Sequence, residues 1–305
     1  MRWVFIGSQG LRAGWSLLIF FALLAPLDLI RGVLKHYDPS LFVADISPGN
    51  ALLIEVVQLV FIVGAMAITG RIEGRAVWSY YGLDGHRPIA KLLMGWTGGL
   101  LCLSLVVAVL LAGRFLAFEG LALRGSLPIV GYGLVWLLVF LMVGVSEEVM
   151  YRGFLQATLT RSIGFWPAAV LVSVFFGAGH LGNPGETIVG VAGVMVRALF
   201  YCFLLRLTGS LWAGIGFHAA WDWAQSYLYG TPQSGHVMQG RLFNSHPLGA
   251  SLLSGGGVGP EGSLLWAPPF VLGLLVFFWA LKRFGLLAAS GASGLRAPSE
   301  RQIWL

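Results

Sequence analysis

What constrains this chain most is a series of apolar runs, each about as long as a helix needs to cross a bilayer. Roughly 20 apolar residues span the hydrocarbon core as a helix. Runs near that length lie at about 14–34, 51–69, 92–113, 127–146, 166–181, 187–207, 211–228 and 264–281. No polar interval between them is long enough to bury a core of its own. The fold class is therefore all-α, a polytopic transmembrane helical bundle of about eight helices. Composition agrees: 57% of the 305 residues are hydrophobic and 10% charged, where soluble domains carry about 25% charged residues.

Three stretches divide the chain: N-terminal membrane helices over 1–126, a core over 127–229 that holds most of the intramembrane polar residues, and 230–305, with a glycine-rich loop, a last membrane helix and a tail. No internal repeat at a fixed period is visible. The first run reads as an uncleaved helix, because it continues through Leu27, Leu29 and Ile30 with no polar region after a small-residue cleavage site. The fourth should continue past Ser146 to about Arg161 as an amphipathic extension leaving the membrane, since EEVMYRGFLQATLT holds no proline and one glycine. The interval Gly230 to Gly262 is rich in Gly, Ser and Pro and reads as a flexible external loop rather than a substrate lid. His236 and His246 within it read as surface histidines.

The net charge of +6 does not signal nucleic acid, because the basic residues sit in short stretches between apolar runs and form no basic face. With the N-terminus inside, thirteen Lys and Arg fall on the inner side and five (Arg31, Lys35, Arg114, Arg124, Arg241) on the outer, with Arg197 left within a span. Positive charge is retained on the cytoplasmic side, so both termini are expected to be cytoplasmic, and in a bacterium the membrane would be the cell membrane. Cys102 and Cys202 each lie in an apolar run and signal neither a disulfide framework nor a Cys-based zinc site.

Ionisable groups within a membrane cost enough to need a partner or a role. Here they gather in the second half: Glu147, Glu148 and Arg152, then His180, then His218 and Asp222; the first half offers Glu55. Glu148 and Arg152 are four apart and can pair on one helical face, whereas Glu147 is rotated by about 100° and left freer. Buried beside another acid, Glu147 is suited to act as a general base; the alternative is that both acids only neutralise Arg152 and Arg161 at the membrane edge. His218 and Asp222 also share a face. His180, behind Gly177 and Gly179, is either a site residue or a packing histidine. Counting from the turn at Arg161 to Trp166, Glu147 and His180 each lie about 21 Å along their helices, at one level of an antiparallel hairpin. His218 and Asp222 bracket about 14 to 20 Å from the Thr208–Gly209 turn, so all four can converge. Arg197 has Glu55, Glu148 or Asp222 as candidate partners, or it snorkels.

With these residues in hand, the sequence resembles the CPBP family, the CAAX prenyl protease and bacteriocin-processing group of intramembrane proteases, also called Abi. Its three motifs stand in order as Glu147-Glu148-x-x-x-Arg152, Phe176-x-x-x-His180 and His218-x-x-x-Asp222, and the resemblance covers roughly Gly131 to Tyr229. It implies a membrane endopeptidase in which Glu147 and His180 position and activate water while His218 and Asp222 stabilise the oxyanion. Its substrate would be a membrane-associated or C-terminal peptide, and its partners that peptide or protein and the lipid bilayer. Many members carry Asn at the last position; an ionised Asp222 cannot donate to an oxyanion, so either Asp222 stays protonated or it orients His218. No serine-nucleophile elbow competes. Glu147, His180 and His218 could supply zinc ligands, but there is no H-E-x-x-H helix, and a liganding Glu147 leaves only Glu148 as base, with Arg152 competing for it. The expectation is that no cofactor is required, with zinc the possible exception. A non-catalytic scaffold or immunity protein of the same fold is the alternative function; a transporter would need paired repeats of broken helices, which the sequence lacks.

Overall fold

The computed structural model describes residues 6–7, 10–42, 45–122 and 129–287. Arg2, Arg124, Arg296 and Arg301, which entered the charge count, lie outside the described residues. The chain folds as a helical bundle. Its helices are α1 (Ala13–Tyr37), α2 (Pro48–Ile72), α3 (Pro88–Ala112), α4 (Ile129–Ile163), α5 (Phe165–Ala178), α6 (Ile188–Thr208), α7 (Trp212–Trp223, with a π-turn over Ala224–Leu228) and α8 (Ala267–Arg283). Among the described residues six helical segments are long and apolar enough to cross a membrane, α8 counted from Leu264. The shorter α5 and α7 complete the bundle.

Local chemistry sets the ends. Ser47 Oγ accepts from the Asn50 amide and Pro48 opens α2, while Thr187 accepts from the Gly190 amide to start α6; each satisfies an otherwise unpaired N–H of the first turn. Gly164 (φ 82°) turns the chain from α4 into α5, and Gly209 (φ 61°) ends α6, conformations a side chain would resist.

The centre of the bundle is α7, drawn in by small residues. A Cβ on Gly95 would run into the Ala213 carbonyl, and one on Gly216 into the Leu92 carbonyl. The α3 and α7 backbones therefore touch, as small-residue helix crossings allow. Gly144 of α4 meets Ile215 and Ala219 of α7. Phe270 of α8 packs edge to face against Phe217 and Trp221 of α7, which stack on each other.

Two sequence expectations change. The extension of α4 is present, but it does not leave the bundle: residues from Arg152 to Thr158 are buried, and Phe154 stacks on Phe20 of α1 with centroids 4.0 Å apart. The interval 230–262 is not a flexible loop. It folds into a cap in which Val237–Met238 pairs parallel with Asp45–Ile46 and Phe243–Pro247 pairs antiparallel with Leu116–Leu121. Val258, Pro260, Glu261 and Gly262 are buried. The physical reason is satisfaction of its backbone: Leu242 N bonds to Tyr227 O, Gln239 N to Ile46 O, and Gln239 O accepts from Trp136 Nε1.

Candidate active site

Within α4 the helix widens into a π-turn over Glu148–Leu155, a geometry that inserts an extra residue and re-aims side chains. It carries Glu148 and Arg152 inward, where Arg152 Nη1 donates to Glu148 Oε1 at 3.1 Å with both side chains buried. Gly214 of α7, with no Cβ, leaves room for the Glu148 carboxylate. The expected i,i+4 pair is thus formed. Arg152 lies with its guanidinium carbon 4.6 Å from the Phe176 ring centroid and 5.0 Å from that of Tyr201; among the described residues its Nε and Nη2 find no hydrogen-bond partner.

From α7, His218 enters the same cluster. Its Nδ1 lies 3.0 Å from Glu148 Oε1. Because that carboxylate already accepts from Arg152, Nδ1 is the donor, and Nε2 is left to face Glu147 Oε2 at 3.6 Å and Asp222 Oδ2 at 3.5 Å. Tyr201 of α6 stacks on the imidazole at 5.1 Å, and Phe176 meets it edge-on at 6.3 Å. His218 is therefore held by a bond on one side and a ring on its face. Spacing alone linked His218 only to Asp222; its bond to Glu148 crosses seventy positions and carried no local signal.

Glu147 is the more open carboxylate, its side chain 28% exposed against 1% for Glu148. His180 sits in the turn just past α5, and its Nδ1 lies 3.0 Å from the Phe176 carbonyl. A carbonyl can only accept, so Nδ1 carries the proton and Nε2 keeps a lone pair. Gly177, one turn earlier, admits Met195 and lets α6 close on α5. Glu147, His180, His218 and Asp222 all line one cavity of about 470 Å³. Glu148 and Arg152 sit behind that wall.

The cavity also holds residues the sequence left unassigned. Arg197 pairs with none of Glu55, Glu148 and Asp222; its Nη2 donates to Glu261 Oε2 at 2.8 Å, from the cap. One signal pointed there: Glu261 is the sole acid between residues 230 and 262, and a span arginine calls for an acid. Arg31, counted with the outer positive charges, lines the cavity wall and donates to Gln58, which in turn donates to Glu55 Oε2 at 3.2 Å. His236 is not a surface residue: it lines the cavity, its Nδ1 has no hydrogen-bond partner among the described residues, and burial pushes its imidazole pKa down. His246 remains at the surface, 3.3 Å from Glu119. Just before α6, Glu186 accepts from the Thr187 amide, and burial raises its pKa.

As a ligand set for zinc, Glu147, His180 and His218 fit poorly. His218 has both ring nitrogens directed at carboxylates, and no group of three or more His, Cys, Asp or Glu among the described residues is arranged to hold a metal ion. What the arrangement offers is a partly open carboxylate, a histidine with a free lone pair and a second histidine fixed by an acid, around one cavity.

Residues 129–224, from the start of α4 through α7, match the model of a family described as type II CAAX prenyl endopeptidase Rce1-like. No curated protein matches the chain. The matched stretch contains Glu147, Glu148, Arg152, His180, Arg197, Tyr201, His218 and Asp222; the cap and α1 to α3 lie outside it.

Proposed function

Taking the Rce1-like domain at residues 129–224 as premise, we propose that this multi-pass membrane protein is an intramembrane endopeptidase that hydrolyses a peptide bond of a membrane-associated or C-terminal peptide. The observation that carries this reading is the single cavity lined by Glu147, His180, His218 and Asp222.

Amide hydrolysis by water needs a base beside the nucleophile and a donor where negative charge develops. Glu147, the open carboxylate, takes a proton from a water that His180 Nε2 holds through its second hydrogen. The water oxygen bonds to the scissile carbonyl carbon, and the carbonyl oxygen becomes an oxyanion. His218 serves it as an imidazolium: Nδ1 is tied to Glu148, so Nε2–H is the donor, and Asp222 and Glu147 facing that nitrogen favour the charged ring. Asp222 is assigned the orienting role, which needs no donor of its own. The proton on Glu147 then passes to the amide nitrogen as the carbon–nitrogen bond breaks. Glu148 and Arg152 hold His218 in place. We assign no metal to the reaction, and both termini to the cytoplasmic side, which reporter fusions at each end would test.

The test is cleavage of a membrane peptide by reconstituted protein. Glu147→Ala and His180→Ala are each expected to abolish cleavage while the protein still inserts; retained cleavage by either removes its assigned role. Activity is expected to survive chelator treatment, and metal content of the purified protein checks the same point. Comparing peptide termini between wild-type cells and a Glu147→Gln strain identifies the substrate.

A further inference from the structure

Arg197 and Glu261 take no part in the chemistry above, yet both line its cavity, and both are buried. They belong to an ordered array. On α6, Arg197 and Tyr201 are four apart and share a face. Tyr201 stacks on His218, and the Arg197 guanidinium lies over the Trp221 ring, 5.3 Å from its centroid. His218 and Trp221 are three apart on α7, so the two helices meet as two rungs. Asp222 follows Trp221 directly in the chain and lines the same cavity as Arg197 and Glu261.

The cap closes this array into a ring. Glu261 gives Oε2 to Arg197, and its Oε1 accepts from Ser234 N at 2.6 Å and Ser234 Oγ at 2.9 Å. Two residues before Ser234, the Pro232 carbonyl accepts from Gln225 Nε2 at 2.8 Å, and Gln225 Oε1 accepts from Trp221 Nε1 at 3.0 Å. Arg197 itself uses one terminal nitrogen, Nη2; Nη1 is buried with no hydrogen-bond partner among the described residues. A guanidinium in such a place does not stay unpaired, because a buried uncompensated charge is strongly unfavourable. Without Glu261, the acids left on the same cavity wall are Glu55, Glu147 and Asp222. Glu55 accepts from Gln58 at 3.2 Å, and Glu147 on α4 faces His218 Nε2 at 3.6 Å. Asp222 is the next residue after Trp221, over whose ring the guanidinium lies, and its Oδ2 is 3.5 Å from His218 Nε2, beyond a firm hydrogen bond.

We propose that Glu261 is a positioning residue of the site: by holding Arg197 it keeps that guanidinium off Asp222 and leaves Asp222 to orient His218. This rests on the oxyanion role given above to His218 and Asp222. A charge in the cap, outside the Rce1-like stretch, thus decides which partner a residue of the site keeps.

The test is kinetic, on full-length protein in proteoliposomes with a fluorogenic membrane peptide. E261Q is expected to lower kcat on the order of 100-fold, the scale of a small misplacement of a reacting group, with KM little changed. The double variant R197M/E261M, which removes the misdirected cation together with its partner, is expected to restore kcat close to wild type. A purely structural ion pair predicts that E261Q loses melting temperature and folded protein while kcat per folded molecule stays at wild type, since removing one partner of a buried pair destabilises and removing both does not; that result overturns the proposal, as does a double variant whose kcat is as low as that of E261Q. Should E261Q fail to accumulate in the membrane, E261D, which keeps a carboxylate but shortens its reach to Arg197, takes its place: a kcat per folded molecule that is lowered in E261D and restored in R197M/E261M supports the proposal, and wild-type kcat in E261D overturns it. E147Q is run alongside. If E147Q cleaves while the loss in E261Q and its rescue persist, the assigned chemistry falls and the positioning of charge stands.

Discussion

Arg152 and Arg197 are both guanidiniums buried in the bundle, and they are held in opposite ways. Arg152 takes its carboxylate from four residues back on the same helix, and that carboxylate is shared with His218. Arg197 takes its carboxylate from 64 positions along the chain, on a cap that lies over the cavity. The first arrangement is built into one helix as it forms. The second exists only once the cap has docked. The Arg152 pocket thus backs the cavity wall from within one helix, while the Arg197 pocket is made jointly by α6 and the cap.

The largest effect expected separates the two. Glu148→Ala leaves both Arg152 and His218 Nδ1 without their acid, in a place that neither can leave. Breaking one side of a buried pair costs about 3–5 kcal/mol, so thermal unfolding in detergent should show a large drop in melting temperature together with loss of cleavage. If Glu148→Ala melts near wild type, the pair does not anchor the wall, and the contrast with Arg197 disappears.

That contrast also marks what could be read from the sequence. Pairs at helical spacing, Glu148 with Arg152 and His218 with Asp222, are geometry that any helix imposes. The approximate helix positions followed from run lengths, and Glu147 and His180, counted to one level by rise per residue, line one cavity. Three things did not follow. The bond from His218 to Glu148 depends on how closely α7 approaches α4, which Gly144 and Gly214 set from both sides. The stacking of Tyr201 on His218 depends on the rotation of α6. The cap was misread because glycine and serine suggest flexibility, whereas here Gly235, Gly240, Gly255 and Gly259 take positive φ in tight turns that bring acceptors into place. The unpaired span arginine and the lone loop acid were the usable clue, and only charge pairing joins them.

A smaller effect is expected where both pockets share a support. Gly216 lies at the α3–α7 crossing with the Leu92 carbonyl against it. Gly216→Val must push α7 away from α3, and overpacking of this kind costs about 1–3 kcal/mol. Because His218 and Trp221 ride on that helix, cleavage should fall as well. The same substitution at Gly14, where nothing lies within 4 Å of a built Cβ, is the control. Smaller again is the stability change in R197M/E261M. Replacing a buried ion pair by apolar side chains of similar volume is often neutral or stabilising, so its melting temperature should match or exceed that of wild type, where Glu148→Ala falls well below it.

The smallest effect belongs to the one pairing of the cap strands with a charged rim. His246 on Phe243–Pro247 faces Glu119 on Leu116–Leu121 at 3.3 Å, with side chains 42% and 64% exposed. Solvent screens such a pair, and exposed ion pairs contribute about 0–1 kcal/mol. His246→Ala should therefore shift stability by less than about 0.5 kcal/mol and leave kcat unaltered. His236, ten residues earlier on the same cap, is the informative partner for that measurement, because it faces the cavity rather than the rim. If His246→Ala disturbs cleavage as strongly as His236→Ala does, the cap acts as one rigid plate, and the division between a cavity side and a rim side, on which the Arg197 pocket depends, does not hold.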